Sequence, residues 1–187
     1  MFILLIVHLL WFCGLHGVNV VVAVINPIIL SNLAENQSAL QAGQQIPRIF
    51  AGGFLDAFVY LGGSGATIGL AIAMALSKNA HMKSIGRLSV VPGIFNINEP
   101  VIFGAPIVMN PVLFIPFLFV PMINATIAWI CLKTGLVGRI VTLVPWTTPS
   151  PIAALLATNF NVMAFVLSAF LVVLSTILYL PFLKAYA

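Results

Sequence analysis

Residues 93–111 read GIFNINEPVIFGAPIVMNP. The stretch holds Glu99, one of three acidic residues in the chain, with Asn96 and Asn98 before it and Pro100 directly after it. Gly93, Gly104 and Pro106 lie around this cluster. Such a segment cannot run as a plain helix, because glycine leaves the backbone unrestrained and proline removes a donor and clashes with the preceding turn. The fold turns on why a carboxylate stands on broken backbone there.

The rest of the chain is very apolar. Of its 187 residues 62% are hydrophobic and 5% charged, with a mean hydropathy of +1.20. A soluble domain carries about 25% charged residues, so lipid must be the solvent. Each crossing takes roughly 20 apolar residues, and the length allows about four to six crossings or re-entrant pieces. Disorder and nucleic-acid binding are excluded by this composition. The net charge of +4 reflects scattered loop residues rather than a phosphate-binding face. Cys13 and Cys131 stand alone in apolar runs without metal-ligand spacing and read as small buried hydrophobes. Neither a metal nor a cofactor is expected. The opening MFILLIVHLLWFC lacks the basic start and the small-residue cleavage site of a signal peptide.

Working outward from the central stretch, 112–132 and 160–183 are apolar runs long enough to cross, and 160–183 is uninterrupted. Between them, KTGLVGR leads into IVTLVPWTTPSPIAALLAT (140–158), where Pro145, Pro149 and Pro151 predict a second segment that dips in and returns. Upstream, 49–77 forms an apolar block whose Gly62, Gly63, Gly65 and Gly69 predict close helix packing or a local break. Residues 1–30 form another, interrupted by CGLHGVN and ending in VINPIIL; the polar 31–48 that follows is expected at or outside the membrane surface. KNAHMKSIGRLS (78–89) carries Lys78, Lys83 and Arg87 with no acid and reads as the cytoplasmic loop. On that assignment 92–106 is a hairpin from the cytoplasmic side, 140–158 dips in from outside, and Lys184 ends inside. The expected fold is all-α integral membrane, with about four transmembrane spans plus two re-entrant hairpins. VINPIIL (24–30) and VMNPVLF (108–114) echo one another, each following an ionisable group in broken backbone, and such paired interruptions point to a transporter's midplane site.

Glu99 is the first candidate for chemistry. A charged group at mid-membrane costs roughly 2.5–3.5 kcal/mol or more, so ionisable residues there are functional by default. Asn96 and Asn98 add donors and acceptors to the same wet pocket. Pro100 suits a first helical turn, which puts Glu99 at an N-cap. His16, between Gly14 and Gly17, offers one donor and one acceptor to a hydroxyl-rich ligand. Trp146, in VPWTTPSP, offers an aromatic face for a sugar ring, with Thr147, Thr148 and Ser150 supplying hydroxyls. Each has a plainer reading, as cap, packing histidine or interfacial anchor. His8 and His81 read as structural or solvated, and Trp11 and Trp129 as packing or lipid-facing residues. Asp56 either pairs with Arg48 or faces the cavity. Motifs for hydrolases and nucleotide-binding loops are absent from the sequence; the GGSG of 62–65 is not followed by the lysine of a phosphate loop.

WFCGLHG, YLGGSGATIGL, PGIFNINEPVIFG and VPWTTPSPI, in this chain order, resemble the IIC permease component of the bacterial phosphotransferase system, in its lactose/cellobiose (beta-glucoside) family. The likeness runs over nearly the whole chain. It implies an elevator-type sugar-binding domain that takes up a beta-linked disaccharide (cellobiose, lactose or chitobiose type), and a separate IIB protein that donates phosphate from a cysteine to the sugar's C6 hydroxyl. It further implies a multi-pass protein of the bacterial cytoplasmic membrane, homodimeric in full-length form. Carried over, Glu99 binds that hydroxyl and helps remove its proton, His16 bonds another hydroxyl, and Trp146 belongs to the second hairpin near the site. Family members are more than twice as long, so 1–187 reads as one membrane domain, the C-terminal sugar-binding half without the N-terminal interface half. An ion-coupled secondary transporter with a Glu99–His16 proton relay and a non-functional permease fragment stand as alternatives.

Overall fold

The structure, a computed structural model, describes residues 1–105 and 107–186; Pro106, counted above among the helix breakers, lies outside the described residues. Among the described residues the chain is all-α. The helices are α1 (Phe2–Phe12), α2 (Gly17–Gln41), α3 (Phe54–Phe58), α4 (Ile68–Ala75), α5 (Ala80–Ile94), α6 (Glu99–Gly104), α7 (Pro111–Lys133), α8 (Ser150–Ala157) and α9 (Val162–Tyr186), with a 3-10 turn over Ser64–Ala66. Of these, α2, α7 and α9 are long and apolar enough to cross a membrane.

Local chemistry sets the boundaries. Asn110 caps α7, its Oδ1 accepting from the Val112 and Leu113 N–H groups at 3.0 and 3.3 Å, and Pro111 follows as the first helical residue. Asn79 caps α5 in the same way, accepting from His81 and Met82. The basic stretch 78–89 is therefore mostly helix rather than loop. The chain then turns at 95–98 and comes back as α6, packed on α5, where Gly104 lies so close that an added Cβ would sit 2.7 Å from the Ile85 side chain. Residues 141–157 also fold back on themselves: the Val141 and Thr142 N–H groups both donate to the Ala157 carbonyl.

The polar 31–48 is helical in its first part, because α2 continues to Gln41. Its Asn36 is fully buried and donates to the carbonyls of Arg48 and Ile140 at 2.9 and 2.7 Å, while accepting from the Arg48 N–H at 2.8 Å. The local break that the glycines of 49–77 predict falls between α3 and α4, where the chain unwinds. Asn26-Pro27 lies inside α2 whereas Asn110-Pro111 opens α7, so the two Asn-Pro elements hold different places in the fold. Cys13 is exposed rather than buried. Arg48 pairs with Glu35 at 2.7 Å, not with Asp56.

The core forms around the unwound segment. Phe58, Leu61, Leu70, Met74, Phe117, Leu171 and Tyr179 are all fully buried about it. Gly69 lets α4 approach α9 closely: a Cβ there would lie 2.7 Å from the Ser175 backbone.

Candidate functional site

Three stretches of irregular backbone meet in the interior: the loop 61–66, the turn 95–98 and the segment 145–150. Non-helical chain at membrane depth survives only where its polar groups find partners inside the protein or line a wet cavity. Here side chains from distant elements supply the partners.

Asn96 joins all three. Its backbone is left-handed, with φ +63°, a conformation asparagine tolerates better than most residues. Its Nδ2 donates to the carbonyls of Trp146 and Thr148 at 2.6 and 3.0 Å, and its Oδ1 accepts from the Gly62 N–H at 2.9 Å and the Ser150 hydroxyl at 3.0 Å. Both donors and both lone pairs of the amide are thus used.

Asn98 is also buried and donates from Nδ2 to the Ser64 carbonyl at 2.9 Å. The Ser64 hydroxyl accepts from the Trp11 indole N–H at 3.2 Å, and the Trp11 ring lies 4.5 Å from the His16 ring. Gly63 is held against Asn98 so closely that an added Cβ would fall 2.5 Å from the amide carbon. On the far side of the loop, the Gly65 N–H donates to His8 Nε2 at 3.0 Å and its carbonyl accepts from the Tyr179 hydroxyl at 2.6 Å.

Glu99 differs from its neighbours. It is the first residue of α6, directly after the buried Asn98, and is exposed. The N-cap is Asn98, one residue earlier than expected, and its side chain is turned to Ser64 instead of capping the helix. Among the described residues the Glu99 carboxylate has neither a hydrogen bond nor an ion pair, the salt bridge there being Arg48–Glu35. His16 is exposed at the N-cap of α2, where its Nδ1 accepts from the Asn19 N–H at 3.3 Å, leaving Nε2 outward. Trp146 is exposed and anchored only through its backbone carbonyl. Rigid buried asparagines therefore carry an exposed carboxylate, with an exposed imidazole and an exposed indole held to the same hub of loops. A carboxylate acceptor, an imidazole and an indole face are groups able to bond hydroxyls and pack on a sugar ring.

Of Asn96, Asn98, Glu99, His16 and Trp146, singled out by sequence reasoning, Asn96 bonds the Trp146 carbonyl and Asn98 precedes Glu99, while His16 meets this group through the Trp11 ring and Ser64. The same reasoning missed Ser64 and assigned Trp11 and His8 to plain packing, although all three bond across the hub. Their signal was faint: a tryptophan and a histidine in an apolar run look alike whether they meet lipid or a loop. An apolar cleft of about 400 Å³ between α4, α5, α8 and α9 is lined by Ile68, Ile94, Phe165 and Val172, reaches Gly62 and Ser150 of the hub, and does not include Glu99 or His16.

Comparison with known proteins gives the context. The family described as Phosphotransferase system, EIIC matches residues 1–121. The lichenan permease IIC component of Bacillus subtilis is 44% identical over 178 residues, covering 94% of this chain and 39% of that protein. The cellobiose-specific EIIC component of Geobacillus stearothermophilus is 43% identical, with 95% and 40% covered. The crystal structure of the IIC component from the N,N'-diacetylchitobiose-specific phosphotransferase system superposes with a TM-score of 0.94 at 42% identity, over 99% of this chain and 43% of that one. The chain thus spans about two fifths of the relatives it matches. This all-α integral membrane chain belongs to the EIIC family of the phosphotransferase system.

Proposed function

We propose that this chain is the sugar-binding part of a IIC permease that takes up a beta-linked disaccharide of the cellobiose, lactose or chitobiose type and presents its C6 hydroxyl to a phosphorylated IIB protein. The observation that carries the reading is Glu99: an exposed, unpaired carboxylate set on the buried frame of Asn96 and Asn98. The carboxylate accepts a hydrogen bond from the C6 hydroxyl and takes its proton as the oxygen attacks phosphorus on the IIB cysteine. A P–O bond forms, the P–S bond breaks and the thiolate leaves; the protein's work is positioning and proton removal. His16 bonds a second hydroxyl, Trp146 packs on a ring face, Asn98 borders the pocket and Asn96 holds the pocket's walls together.

In this reading α5 with α6, and 140–158, are re-entrant hairpins entering from opposite sides. Arg139 donates to the Ile46 and Pro47 carbonyls, grouping the α2–α3 and α7–α8 connections at one end. In this reading Lys78, Lys83, Arg87 and Lys184 lie on the cytoplasmic side, four of the seven basic residues, against Arg48, Lys133 and Arg139 on the other. Hydrogen bonds join the first hairpin to the second and to the loop 61–66, and that loop to α1 and α9, so the unit would travel as one body, as an elevator requires.

The test uses membrane vesicles bearing the permease that contains this chain, supplied with phosphorylated IIB. Sugar phosphate inside the vesicles is expected. Accumulation of unmodified sugar driven by a proton gradient would overturn the reading.

A further inference from the structure

We infer that His8 is a positioning residue for the chemistry at Glu99: held as the neutral Nδ1–H tautomer, it orients the peptide plane on which Asn98, and through it Glu99, is placed. The inference rests on the reading of Glu99 given under Proposed function.

The tautomer follows from the partners. His8 is fully buried in α1. Its Nδ1 lies 2.6 Å from the Leu4 carbonyl oxygen, which can only accept, so Nδ1 carries the hydrogen. Its Nε2 lies 3.0 Å from the Gly65 nitrogen, which can only donate, so Nε2 presents a lone pair. A protonated ring or the opposite tautomer would set two hydrogens against each other at Gly65.

The Gly65 N–H and the Ser64 carbonyl belong to one peptide bond. That bond is trans and planar, so the two groups point in opposite directions. With its N–H held by His8 Nε2, the plane must aim the Ser64 carbonyl the other way, and there it accepts from Asn98 Nδ2 at 2.9 Å. Hydrogen bonds at the two ends of one amide polarise each other in the same sense. The plane has little freedom to rotate otherwise. Gly65 has φ +83°, and an added Cβ would lie 2.2 Å from the Phe117 ring, against which the His8 ring also packs edge-on at 5.0 Å. The next carbonyl, that of Gly65, is taken by Tyr179. The relay therefore runs His8, the 64–65 peptide, Asn98, then Glu99, the following residue.

The variants are made in the intact permease. His8→Gln keeps an acceptor near the Nε2 position, whereas His8→Phe keeps ring volume and the contact with Phe117 but has no acceptor. Nitrogen-15 spectra of the wild type should show a bare Nε2 and a protonated Nδ1, and the Asn98 side-chain amide signal should move in His8→Phe and return towards wild type in His8→Gln. In sugar phosphorylation His8→Phe should lower kcat roughly ten- to hundredfold, as sub-ångström misplacement of a reacting group does, while KM changes less than about threefold. His8→Gln should recover most of that loss. A protonated Nε2, an unmoved Asn98 signal in His8→Phe, or wild-type kcat in that variant would overturn the inference. The spectra read the relay without any transport, so a wild type that makes no sugar phosphate counts against the proposed function alone. Should His8→Phe fail to fold, the wild-type tautomer and the kcat of His8→Gln decide the matter.

Discussion

Asn96 donates from its side-chain amide to the Trp146 carbonyl across a 2.6 Å hydrogen bond, so the turn between α5 and α6 and the segment before α8 are tied at their innermost points. The same amide holds Gly62, Thr148 and Ser150. An aspartate of equal shape cannot donate to two carbonyls and would face them with negative charge. Asn96→Asp should therefore destabilise the protein by roughly 2–4 kcal/mol, since each unsatisfied buried group costs about 1–3 kcal/mol. Thermal unfolding in detergent measures this, and a near-isosteric change leaving the midpoint unmoved would contradict the role given to Asn96.

Two glycines with left-handed backbone separate conformational strain from crowding. Gly43 has φ +64° with open space where a Cβ would stand, while Gly65 has φ +83° and the Phe117 ring 2.2 Å from that position. Gly43→Ala should cost about 1–2 kcal/mol, the left-handed penalty alone. Gly65→Ala adds overpacking and should cost roughly 3–5 kcal/mol. Equal losses in chemical or thermal unfolding would mean that the loop 62–66 is not packed as described.

Asn36 and the Arg48–Glu35 pair both hold the connection that follows α2, but in different surroundings. The Asn36 amide is buried with three backbone partners, whereas the ion pair is about half exposed on both sides. Asn36→Ala should lower stability by roughly 2–3 kcal/mol. Arg48→Ala should leave the unfolding midpoint nearly unchanged, because exposed pairs are screened by water and salt. The reverse order would contradict this division of labour.

Lys83 and Arg87 stand one helical turn apart on α5, with Lys78 just before it and no acid between them. Reversing all three charges should slow phosphoryl transfer from phosphorylated IIB roughly tenfold or more at low salt, with sugar affinity unchanged, as expected for a steering surface. Rapid-quench transfer measurements across a salt series check it. Rates equal to wild type at every ionic strength would reduce these residues to topology signals.

Much of this architecture was legible in the residues themselves. The apolar runs 112–132 and 160–183 became α7 and α9, because an apolar run of spanning length has one good solution, even with Pro116 and Pro121 inside α7. FNINEP was readable as a turn, since two asparagines and a glutamate crowded before a proline favour capping and turn conformations over a continuing helix. What stayed hidden depended on partners far away in the chain. Asn32 and Asn36 made 31–48 look external, yet their amides serve the carbonyls of Phe50, Arg48 and Ile140. Likewise Asn96 looked like a ligand, whereas its four hydrogen bonds go to segments 34 to 54 residues away. Polarity in a membrane sequence marks a need for partners without naming them. Glu99 is an exposed residue whose need the described structure leaves open, as it does for Asp56 and the buried Asn124 Oδ1.

The most direct measurement is therefore made on Glu99→Gln in the intact permease, comparing disaccharide binding with phosphorylation of the bound sugar by phosphorylated IIB. Glutamine keeps the shape and a hydrogen bond to the sugar but cannot take the proton. Binding should remain measurable while phosphorylation falls by roughly a hundredfold or more, within the range for loss of a general base. Phosphorylation at the wild-type rate by Glu99→Gln would contradict the role of Glu99 as the base.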